Sequence, residues 1–210
     1  MTETPNRPVR VNLTFAELEF LFGQNPRWPA VREALNGEIP DSPQVVAAGA
    51  ASLLARGLAR FTRDEQTIID GTVATLANRL VEAEAPLGIT MISEGGMAPA
   101  VYCVGADGGR TLVSIEAPGV AGFQPLPEDL SPVDQAMTLF DRAISVEGAV
   151  TSVKVAGQLP VLIRKRDGGW ELGDSDRDPA DLDSFFRATT EGEARRIVRE
   201  YIIRNLGQQS

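Results

Sequence analysis

Apolar positions keep a helical period through the first third of the chain, break into short alternating runs in the middle, and return to a helical period at the end. Thr14-Phe15-Ala16-Glu17 has capping-box spacing and predicts a short helix to about Phe22, ahead of Gly23. The proline-containing stretch Asn25 to Asp41, around Trp28, Val31 and Leu35, leaves room for one brief helix. Ser42-Pro43 supplies an N-cap and a first-turn proline for a helix ending near Gly57, with Val46, Ala50, Leu53, Leu54 and Leu58 as its apolar stripe. Asp64 to Val81 predicts a further helix, since Ile68, Ile69, Val73, Leu76, Ala77 and Leu80 recur at helical spacing.

The pattern then changes. Leu87 to Ser93, Ala98 to Val104 and Arg110 to Glu116 are short, rich in Val, Ile and Tyr, and separated by glycines, as strands are. Ala117 to Leu130 reads as a proline-rich connection around Phe123. Ser131-Pro132 opens a helix to about Ile144, and strands resume at Ala149 to Val155, Pro160 to Arg166 and Trp170 to Leu172. Asp178-Pro179 marks a helix through Phe185 and Phe186. A last helix carries Ala194, Ile197, Val198, Tyr201, Ile202 and Leu206 on one face.

Within this order a unit recurs. Ile89-Thr90-Met91-Ile92-Ser93, Gly95-Gly96, Pro99 and Asp107-Gly108-Gly109 are followed by Val150-Thr151-Ser152-Val153-Lys154, Gly157, Pro160 and Asp167-Gly168-Gly169. The offset is 61 at the start (150 − 89) and 60 at the turn (167 − 107). Two β-meanders with Asp-Gly-Gly hairpin turns result, where glycine supplies positive φ. One such meander is marginal alone, so two copies joined in one sheet are expected. The expected fold is α/β of the α+β type: a mainly antiparallel central sheet of two repeated meanders, flanked by helices and quasi-two-fold. It forms one domain over residues 1–210, with a helical part over about 13–83, a first meander over about 87–116, a crossover over about 117–130 and a second half over about 131–206.

Composition narrows the chemistry. The 210 residues are 43% hydrophobic with a formal net charge of −9, a balance that disfavours nucleic acid and anionic lipid as partners. The polar, proline-containing start does not resemble a secretory signal. The longest run without polar side chains, Val45 to Ala51, is too short for membrane insertion. A single cysteine, Cys103, fits reducing surroundings and a cytoplasmic location. There is no histidine, which removes Ser-His-Asp and Cys-His catalysis and most zinc and iron sites. The expectation is a protein with no catalytic, cofactor-binding or metal-ligating residues. Paired carboxylates remain the one route to an enzyme.

Each motif with a chemical reading also has a plainer one. Gly105 to Gly109 and Ser93 to Gly96 lie between strands with no following P-loop lysine, so hairpin turns are the stronger reading. Asp174, Asp176 and Asp178 alternate as in a calcium loop, but Pro179 stands at the sixth position and Phe185 at the twelfth, which favours a solvated acidic loop. Cys103, with no activating histidine, reads as a core residue. Arg164-Lys165-Arg166 is a short basic run. Arg195, Arg196, Arg199 and Arg204 are interleaved with Glu191, Glu193 and Glu200, as on a mixed solvated helix face. A winged helix on DNA is disfavoured because the helix Pro43 to Gly57 carries only Arg56 as a charge.

Leu13-Thr14-Phe15-Ala16-Glu17-Leu18, then Leu53-Leu54-Ala55-Arg56-Gly57-Leu58, then a long helix feeding a glycine-turned meander, together resemble the EspG-like family, cytosolic chaperones of actinobacterial type VII (ESX) secretion. The order of elements is similar from about Leu13 to Leu206, with an abbreviated second half. The resemblance implies quasi-two-fold halves around a central sheet. It also implies a protein client, a secreted helical substrate of the PE–PPE type kept soluble by the chaperone. No contact residue carries over. The expected function is a non-catalytic cytoplasmic chaperone or adaptor; the alternatives are a stand-alone regulatory or structural interaction domain and a carboxylate-based enzyme. Phe123, Phe185, Phe186, Tyr201 and Ile202 are the apolar side chains from which a partner-binding patch would be built.

Overall fold

The computed structural model describes residues 10–34, 42–64, 66–83, 85–155, 157–173 and 186–206. Strand β1 (Val11–Thr14) runs directly into helix α1 (Phe15–Phe22). Thr14 belongs to both: its hydroxyl accepts from Glu17 N at 3.2 Å, and the Glu17 carboxylate accepts from Thr14 N at 2.7 Å. Helices α2 (Trp28–Ala34) and α3 (Pro43–Ala55) follow, the latter capped by Ser42, whose hydroxyl accepts from Val45 N at 3.3 Å. Beyond its end Gly57 turns to φ +69° and Leu58 N donates to Leu53 O at 2.9 Å, which satisfies a terminal carbonyl.

The helix expected over 64–81 starts later. Thr67–Ile69 forms strand β3, paired antiparallel with β2 (Ala59–Phe61) as a separate two-stranded ribbon. Three β-branched side chains suit the ribbon, and Asp70 then caps α4 (Gly71–Glu82) by accepting from Thr72 N at 2.9 Å. Apolar residues at 68 and 69 fit either period, so so short a run cannot separate strand from helix.

One nine-stranded sheet, antiparallel throughout, contains both meanders: β4 (Leu87–Ser93), β5 (Gly96–Val104), β6 (Arg110–Ala117) and β7 (Val120–Leu126), then β8 (Val150–Val155), β9 (Val161–Arg166), β10 (Gly169–Gly173) and β11 (Phe186–Thr189). Its order is β1-β7-β6-β5-β4-β8-β9-β10-β11, symmetric about the β4–β8 pair apart from β1. The fold is therefore α+β. The expected crossover over 117–130 contains β7, with Phe123 buried between Val11 and Val113. Pro125 concealed this strand. β1 pairs with Val120 to Phe123, and among the described residues none pairs with Pro125 on that side, which suits its missing N–H. Phe186 lies on strand β11, not on a helix; Asp178-Pro179 and Phe185 lie outside the described residues.

The two Asp-Gly-Gly turns differ. Asp167 and Gly168, at φ 50° and 74°, form a two-residue hairpin between Arg166 and Gly169. Gly105 to Gly109 is a five-residue loop in which only Gly108 has positive φ. Packing differs too. Ile89 sits opposite Val153 and Ile92 opposite Val150, so the odd offset of 61 aligns residues that point to opposite faces.

Helices α1 to α4 cover one face of the first half, over Val101, Cys103, Val113 and Phe123. The described helices of the second half are α5 (Pro132–Ala143) and α6 (Glu191–Leu206). They cover the other face, over Leu87, Ile89, Tyr102, Val153, Ile163 and Trp170. On β5, Val101 and Cys103 point one way and Tyr102 the other, as strand alternation requires. Each half of the sheet thus carries its helices on a different side.

Candidate functional site

The two sequence motifs that carry the family resemblance meet in space. Glu17 is buried, and its carboxylate accepts from Ser52 Oγ at 2.7 Å and from Arg56 NH1 at 2.8 Å to each oxygen. Arg56 also donates to Asn12 O at 2.8 Å, on the outer edge of β1. Gly49, one turn before Ser52, lets α3 approach: a Cβ there would lie 1.9 Å from Ala16 O. Neighbouring Glu19 accepts from Trp28 Nε1 at 2.9 Å and Arg32 NH1 at 3.2 Å. These buried carboxylates hold the α1–α3 and α1–α2 packing.

Most of the side chains singled out in the sequence have structural partners. Cys103 is buried and burial pushes its thiol up to about 12. Phe123 and Ile202 are core residues, and the half-buried Tyr201 accepts from Val155 N at 2.9 Å through its hydroxyl. Three of the four α6 arginines pair with acids: Arg195 with Asp141 at 2.5 Å, Arg196 with Glu193 at 2.8 Å and Glu200 at 2.7 Å, and Arg199 with Asp134 at 2.9 Å. Arg164 bonds Glu171 at 2.6 Å and lies 4.3 Å from the Phe186 ring centroid. The Gly105–Gly109 loop is held by Arg79, which donates to Asp107 from Nε and NH2 at 3.1 and 2.9 Å. Asp174, Asp176 and Asp178 lie outside the described residues. Among the described residues no three His, Cys, Asp or Glu side chains gather as a metal site, and no helix is long and apolar enough to cross a membrane.

What sequence reasoning missed is a surface defined by topology. Helix α5 packs on β4 and β8, and α6 on β9 and β10. On the same side of the sheet, α5 reaches β5 and β6 at one end, where Gln135 meets the buried Tyr102 and Arg110, and the other end of the two strands is more exposed. The exposed or half-exposed side chains there are Ala98, Ala100, Leu112, Ser114 and, on β7, Gln124. One wall is α5. Its Asp134 and Asp141 face α6, whereas Gln135 turns toward the first half, accepting from Tyr102 Oη at 3.2 Å and from Arg110 NH1 at 3.4 Å. Leu139 and Arg142 continue the Gln135 stripe at i+4 and i+7. The other wall is the Arg10–Glu116 ion pair, with Arg10 lying across Gly122 and donating to Ser114 Oγ at 3.3 Å. At the closed end, burial pushes the Tyr102 phenol up to about 12 against the opposing pull of Arg110.

The floor has small and medium apolar side chains at its centre and polar ones at its rim. No protein-family model matches the chain, and no curated protein matches it.

Proposed function

We propose that the protein is a non-catalytic, cytoplasmic chaperone or adaptor that holds another protein, with a helical substrate of a type VII (ESX) secretion route, of the PE–PPE type, as its client. The observation that carries this reading is the exposed end of β5 and β6 beside α5, with Ala98, Ala100 and Leu112 on it. Burying an apolar-centred floor of this kind against a client removes hydrophobic surface from water on both partners. Support also comes from the two resembling motifs, which form one bonded unit through Glu17 and Arg56.

Purification from the native host at mild salt, followed by co-expression with whatever co-purifies, tests the proposal. A stoichiometric client that is soluble only in the presence of this protein is the expected result. Recovery of the protein alone, at concentrations well above micromolar, overturns it.

A further inference from the structure

We draw no further inference here: the strongest candidate, the buried Arg110 guanidinium at the N-terminus of α5, whose Nε has no hydrogen-bond partner among the described residues, is enclosed between the Leu130 carbonyl and Gln135 and belongs to the α5 packing already described.

Discussion

Gly49→Ala is the substitution for which structure and propensity make opposite predictions. In an unobstructed helix, alanine for glycine stabilises by about 1 kcal/mol. Here the new Cβ would lie 1.9 Å from Ala16 O, 2.5 Å from Ala16 C and 2.9 Å from Glu17 N. All three are backbone atoms of α1, so no side chain can swing aside. Relieving the clash requires α3 to retreat by more than an ångström, an overpacking cost of about 1–3 kcal/mol. The retreat also draws Ser52 and Arg56 away from the buried Glu17 carboxylate, and leaving a buried charge short of partners costs about 3–5 kcal/mol when complete. With partial loss and the propensity gain subtracted, net destabilisation of about 2–4 kcal/mol is expected. For a chain of this size that is a fall in Tm of roughly 5–15 °C. Urea unfolding followed by circular dichroism measures it, with Gly192→Ala as the control, because a Cβ at Gly192 meets nothing within 4 Å. Combining Gly49→Ala with Glu17→Gln should cost less than the sum of the two. A Gly49→Ala protein as stable as the parent would refute the close α1–α3 contact.

Other consequences are as direct. Phe123→Ala should destabilise by about 3–5 kcal/mol in the same assay, since a buried aromatic is removed between β1 and β6, whereas a side chain on a solvated crossover would cost almost nothing. The thiol of Cys103, buried and pushed up to about 12, should resist a thiol reagent at pH 8 in the native state and react at once in denaturant; fast native labelling would contradict its burial. Asp107 is held below its ordinary 3.8 by hydrogen bonds from Arg79 and Gly109 N, and Asp134 by the Ser131 hydroxyl and Arg199. Depressed carboxylates contribute stability above the ordinary Asp range that is lost as pH falls through their folded values, so melting temperature should decline on acidification below about pH 4, and less so in Asp107→Asn.

Helix starts were legible because capping chemistry is local: Thr14, Ser42 and Ser131 each bind a backbone N–H within three residues. The strands of both meanders were legible by alternation and glycine turns. β7 was not, because Pro118, Pro125 and Pro127 read as a connection, while its pairing with β1 is set by residues over a hundred positions away. Residues 67–69 carried too short an apolar run to separate strand from helix. The site was the least legible part. Ala98, Ala100 and Leu112 look like any strand residues, and only the placement of α5 over β4 and β8 leaves them open. Aromatic residues attract attention in a sequence, yet Phe123 was taken into the core. Gly49 offered a weak signal, as a glycine inside an otherwise alanine-rich helix.

Because the helices of the two halves stand on opposite sides of one sheet, neither half can slide or duplicate its surface without the other. A substitution on β5 that points toward the α5 side leaves the neighbouring residues of the same strand packed under α4, and the reverse holds one residue along. Selection can therefore retune the open side of β5 and β6, residue by alternate residue, while Val101, Cys103 and Val113 keep the fold. The exposed surface and the core are thus written into the same strands at different phases of a two-residue repeat.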